Sequence, residues 1–106
     1  MINRSGLSEL ERRALVHLHE VIDPEIGLNI VDLGLVYGLS MEEEKRNIQV
    51  TMTLTTQFCP MGAAIVGSVE ETLREYFPDH DVDLELVFEP SWDAGMISPE
   101  GRAFLG

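Results

Sequence analysis

The apolar positions change period along the chain, and each change marks an element. Leu10, Ala14, Leu18, Val21 and Ile22 fall at helical spacing behind Ser8 and Glu11, which carry the S-x-x-E spacing of a capping box. A first helix is predicted from Ser8, stopped at Asp23-Pro24 because the residue before proline avoids the helical region. Leu35 to Met41 reads as a strand and Glu42 to Asn47 as a solvated turn. Ile48 to Thr55 reads as a second strand, with Ile48, Val50, Met52 and Leu54 alternating against Gln49, Thr51 and Thr53. So short a connector cannot carry a parallel crossover, so the pair is an antiparallel hairpin. At Pro60 the period turns helical again. Met61, Ile65, Val69, Leu73 and Tyr76 share one face, predicting a helix from Pro60 to about Phe77. Val82, Leu84, Leu86 and Phe88 then alternate as a third strand, and strand, helix, strand in one sheet implies a right-handed parallel crossover. Ser98 and Pro99 have the chemistry of a cap and first position for a short last helix. The predicted fold class is α/β of the α+β type: a two-layer, three-stranded mixed sheet with element order α-β-β-α-β plus a short C-terminal helix.

Two stretches do not fit this periodicity. Asp23 to Tyr37 is too apolar for a solvated loop, yet holds Asp23, Glu25, Asp32 and two glycines. It is expected to fold back over the sheet as a covered loop. Its carboxylates then converge on the corner between the second strand and the second helix, or else cap local turns. The tail carries Trp92, Met96, Ile97, Phe104 and Leu105. These cover the open side of the core, or form a docking patch.

Composition narrows the function classes. At 106 residues the chain has the size of one domain, spanning 1–106. Seven basic against nineteen acidic residues give a net charge of −12, which argues against nucleic acid and anionic membrane surfaces and permits basic protein partners. No apolar run reaches the ~18 residues of a spanning helix. A single cysteine makes no intramolecular disulfide, which points to a reducing cytoplasm, and no CxxC zinc spacing is present.

That cysteine, Cys59, falls where the strand pattern gives way to the helix pattern. With Pro60 as the first helical position, the thiol lies beside the unsatisfied N–H groups of a helix start. There it is expected to be partly exposed and to titrate below the unperturbed ~8.5. Thr55 and Thr56, just upstream, supply hydroxyls for a sulfur or an anion. The plainer alternative is a buried, inert cysteine after an ordinary polar loop. His17, His19 and His80 lie away from this stretch, and His17 and His19 are read as surface residues.

Three separated stretches resemble one family. They are Asp23-Pro24-Glu25-Ile26-Gly27 with Asn29 to Tyr37; Met52 to Thr56 with Cys59-Pro60-Met61-Gly62; and Trp92, Met96-Ile97 with Gly101 to Gly106. The family is the metal–sulfur cluster assembly factors that include SufT and PaaD, and the resemblance covers roughly Leu7 to Gly106. PaaD proteins carry a further cysteine-bearing C-terminal segment not found here, so the chain is closer to a stand-alone SufT-like protein. Ser91 stands where many members have a second proline.

The resemblance implies a small α/β domain that matures or delivers iron–sulfur clusters. Cys59 is then the motif cysteine and candidate metal ligand, with Asp23, Glu25 and Asp32 as acidic positions near it. A stable cluster generally wants four protein ligands, so the implied cofactor is a transient iron–sulfur cluster or iron, none of it tightly bound. A homodimer would bring two thiolates. Assembly proteins and apo-client proteins are the implied partners, and the role is that of a carrier and not an enzyme. Two alternatives stay open: a metal-free adaptor of the assembly machinery, and a thiol enzyme with Cys59 as nucleophile, which requires a nearby base.

Overall fold

A computed structural model describes residues 4–56 and 60–106. Helix α1 (Glu9–Leu18) starts on the expected capping box: Ser8 Oγ accepts the Glu11 N–H at 3.2 Å, and the Glu11 carboxylate accepts the Ser8 N–H at 2.8 Å. The other Glu11 oxygen accepts the Met41 N–H at 2.8 Å, which pins the helix start to the first strand. The helix is shorter than predicted. It ends at Leu18, not at Asp23, because His19, Glu20 and Val21 turn their N–H groups to the carbonyls three residues back. Val21 is thereby buried outside the helix, and Ile22 is exposed in an isolated bridge to Asn29.

The 23–37 segment folds into a covered loop around a short helix, α2 (Ile30–Leu33), capped by Asn29 and closed by a Schellman-type turn at Gly34. Leu28, Ile30, Val31, Leu33, Leu35 and Val36 from this segment are all buried. Strand β1 (Val36–Glu42) pairs antiparallel with β2 (Asn47–Met52) through a turn in which Arg46 has φ 50°. Helix α3 (Gly62–Tyr76) buries Ile65, Val69 and Leu73 and leads to β3 (Asp81–Leu86), which pairs parallel with β2. The sheet order β1-β2-β3 puts β2 at the centre of a mixed sheet. Helices α1 and α3 pack on each other and on one sheet face. Helix α4 (Pro99–Leu105) begins at the predicted Ser98 cap and Pro99. It packs on α2. The fold class is therefore as the periodicity predicted, with α2 added between α1 and β1.

The tail divides. Trp92 and Ile97 pack against the core, whereas Phe104 and Leu105 are exposed, Phe104 by 68%. The α3 stripe also loses its ends: Met61 and Tyr76 are exposed, and Tyr76 stacks on His17 at 3.6 Å between ring centroids.

Candidate functional site

Strands β2 and β3 run parallel, and their carboxyl ends open onto diverging connections, where a crevice forms for geometric reasons. Beyond β2 the chain continues as Thr53-Leu54-Thr55-Thr56. Thr53 is fully buried and donates its N–H to the Leu35 carbonyl at 2.8 Å, tying this exit to the end of the 23–37 segment. Thr55 and Thr56 then line an open cleft of about 320 Å³, together with Leu54. The opposite wall is built from the chain after β3: Phe88, Glu89, Ser91 and Trp92.

Long-range hydrogen bonds hold that wall. Trp92 Nε1 donates to the Leu33 carbonyl at 2.7 Å, and the Tyr37 hydroxyl donates to the Pro90 carbonyl at 2.7 Å. The same hydroxyl lies 3.6 Å from Met96 Sδ. Burial pushes the Tyr37 phenol above its ordinary value of 10.0. A hydrogen bond with the Thr53 side chain opposes this, and the Asp93 and Glu89 carboxylates add to it.

The predicted acidic residues have hydrogen-bond partners of their own or face solvent. Asp23 is 1% exposed, and its Oδ1 accepts the Glu25 N–H at 2.9 Å and the Ile26 N–H at 3.4 Å. This is an Asx turn, one of the local roles open to it from the sequence. Glu25 is exposed. Asp32 Oδ2 accepts from Asn29 Nδ2 at 2.7 Å, and its Oδ1 accepts from Ser98 Oγ at 2.8 Å, so it joins α2 to the cap of α4. Among the described residues, Thr55 and Thr56 share their cleft with Glu89 and not with Asp23, Glu25 or Asp32. The sequence reading missed Glu89 and Ser91 in this role. The tryptophan two residues after Pro90, within the third matched stretch, was the available signal.

Cys59 lies outside the described residues, together with Gln57 and Phe58. The expectations for its exposure, its acidity and its distance from the carboxylates fall there too. The helix start, however, is described and needs a correction. The first helical bond runs from the Ile65 N–H to the Met61 carbonyl, so α3 begins at Gly62 behind Met61, which has no side-chain cap. Pro60 sits in the preceding turn and is not the first helical residue. Cys59 is therefore three positions before the helix in sequence and not, as the period change at Pro60 predicted, within one residue of its start.

Of the histidines, His17 stacks on Tyr76, His19 Nδ1 lies 3.0 Å from the Leu15 carbonyl, and His80 packs edge-on against Phe77. None of them lines the cleft among the described residues. No group of three or more His, Cys, Asp or Glu side chains among the described residues is placed to hold a metal ion.

Residues 11–84 match the family described as iron–sulfur cluster assembly protein. The chain belongs to this family. It is 35% identical to the Fe-S protein maturation auxiliary factor YitW of Bacillus subtilis, over 92% of this chain and 94% of that one. It is 41% identical to the Fe-S protein maturation auxiliary factor SufT of Staphylococcus aureus, over 81% of this chain and 97% of that one. In three dimensions it resembles a solved domain of unknown function, DUF59, from Bacillus anthracis. The TM-score is 0.87 at 34% identity, with 98% of each chain covered. The iron–sulfur assembly match runs from α1 into β3 and takes in the Thr55–Thr56 loop and Cys59. The opposing wall, from Phe88 to Trp92, lies beyond it.

Proposed function

We propose that this chain is an accessory factor in the maturation of iron–sulfur proteins. In this reading Cys59 supplies a thiolate to a cluster or iron held transiently as cargo. The observation that carries the reading is the family match across the stretch containing Cys59, supported by relatives named as maturation auxiliary factors along nearly their whole length. The cleft supports it further. Thr55 and Thr56, just upstream of the cysteine in sequence, offer hydroxyls, and the facing wall adds the Ser91 hydroxyl, the Glu89 carboxylate and the Trp92 ring. Such a surface suits contact with another protein better than it suits a closed catalytic pocket.

One thiolate per chain leaves a cluster short of ligands. The remaining ligands come from a second copy, from small thiols, or from the assembly or apo-client protein that receives the cargo. An incompletely ligated cluster dissociates readily, as a carrier requires. A thiol enzyme would need a base beside Cys59, and the placement of the three histidines favours the non-enzymatic reading. The cytoplasm is the proposed compartment, on the strength of the single cysteine; no described helix is long and apolar enough to cross a membrane.

Anaerobic reconstitution of the wild type and Cys59→Ser, with iron and sulfide counted per chain, tests the reading. Cluster uptake by the wild type that is lost in Cys59→Ser is the expected result. Equal uptake by both, or none by either, contradicts the proposed role of the thiolate.

A further inference from the structure

Strand β3 closes one side of the sheet and has β2 as its only strand neighbour among the described residues. Its two ends fix which backbone groups are used. The Asp81 N–H donates to the Arg46 carbonyl and the Val87 N–H to the Met52 carbonyl. Successive peptide groups of a strand point to opposite sides, so in this parallel pair alternate residues face β2. The N–H and C=O groups of Val82, Leu84 and Leu86 therefore point away from the sheet. None of them bonds to the backbone of any described residue.

The side chains divide with the same period. Val82 and Leu84 are half-buried and Leu86 is 38% exposed, so the apolar row along this edge is incompletely covered. Asp81, Asp83 and Glu85 are exposed on the opposite face, in register with Asn47, Gln49 and Thr51. None of the three takes part in an ion pair with a described residue. Asp83 accepts one hydrogen bond, from Asn47 Nδ2 at 2.8 Å.

An edge of this kind is an open template for another strand. Pairing β3 with β3 of a second copy would bring carboxylates opposite carboxylates, which is destabilising. The acidic row thus guards the edge against self-association while leaving it complementary to cations. We infer that β3 is a docking edge for an extended segment of a partner protein in which lysine or arginine alternates with apolar residues. Its backbone would bond to Val82, Leu84 and Leu86. Its apolar side chains would extend the half-covered row, and its cations would lie beside Asp81, Asp83 and Glu85. This inference does not depend on Cys59 or on cluster binding.

The test uses the full chain, labelled with nitrogen-15, and a blocked synthetic peptide as long as β3 that alternates lysine with valine. A matched peptide with glutamate in place of lysine is the control. The lysine peptide is expected to bind, to protect the amides of Val82, Leu84 and Leu86 from exchange, and to weaken with added salt. The charge-reversed variant Asp81→Lys/Glu85→Lys is chosen because it leaves the Asn47–Asp83 bond in place. It should weaken the lysine peptide about tenfold or more and bind the glutamate peptide instead. Far-UV circular dichroism of the variant confirms that it is folded. Absence of binding, protection at other amides, or affinity indifferent to the charge reversal overturns the proposal. Protection of the same three amides that grows with protein concentration alone also overturns it, since the occupant is then a second copy.

Discussion

Replacing Gly34 by alanine should loosen the tail from the body of the protein, and the size of the effect follows from local geometry. Gly34 closes α2 with φ +83°. An L-residue in that left-handed region costs about 1–2 kcal/mol. A Cβ there would also meet the backbone of Met96: the carbonyl oxygen is nearest, followed by Met96 Cβ at 2.9 Å and the carbonyl carbon at 3.0 Å. Met96 cannot yield freely, because Trp92, Ser98 and the Pro90 carbonyl are each bonded back to the 32–37 region. Forcing an extra carbon into so tight a contact adds about 1–3 kcal/mol. The expected loss is therefore about 2–5 kcal/mol, from backbone strain and overpacking together. Gly27 is the internal control. It has φ +81°, but its Cβ would meet nothing within 4 Å, so Gly27→Ala should show the backbone cost alone. Urea denaturation of both variants, followed by far-UV circular dichroism and by the emission of the single tryptophan, separates the two contributions. In Gly34→Ala the Trp92 emission should also shift to the red before global unfolding. Losses that agree within about 0.5 kcal/mol, the usual limit of additivity, would refute the claim that Met96 is held against Gly34.

Ser98→Ala removes both the cap of the Gly101 N–H and the bond to Asp32, and should cost about 1–2 kcal/mol in the same denaturation assay. Glu11 gives a pH dependence of known sign. The Ser8 N–H, foremost, and the Met41 N–H hold its carboxyl below the ordinary value of 4.5, against the opposing effect of burial. A depressed folded-state value means that the contribution is complete above 4.5 and is lost as the pH falls through the lower folded-state value. The stability difference between the wild type and Glu11→Gln should accordingly shrink on acidification below 4.5; a difference that grows there contradicts the capping role.

What could be read from the sequence was whatever depends on near neighbours. The Ser8–Glu11 box, the Ser98–Pro99 cap, the hairpin and the crossover each rest on spacings of a few residues, and each is present in the structure. The misplaced boundaries have local causes that periodicity does not register. Val21 continues the helical stripe but is buried by a tightened turn, and Pro60 stands in a turn before the first helical bond forms at Ile65. Helix α2 is four residues long, too short to show a period at all. The arrangement around the cleft was the least legible part. Its wall depends on Trp92 bonding to Leu33 and on Tyr37 bonding to Pro90, across 59 and 53 residues of chain. Asp32 lies between the buried Val31 and Leu33, where a carboxylate needs hydrogen-bond partners. Asn29 supplies one hydrogen bond from three residues away, but Ser98, which ties Asp32 to α4, lies 66 residues away, so nothing near Asp32 in the sequence could name it.

The central claim is that the Cys59 thiolate is needed for the maturation of iron–sulfur proteins. The most direct measurement takes cells lacking this chain, restores either the wild type or Cys59→Ser at matched abundance, and assays the activity of their iron–sulfur enzymes. The account predicts recovery with the wild type and little or none with Cys59→Ser. Equal recovery with both would contradict it, leaving an adaptor that works through its surfaces alone.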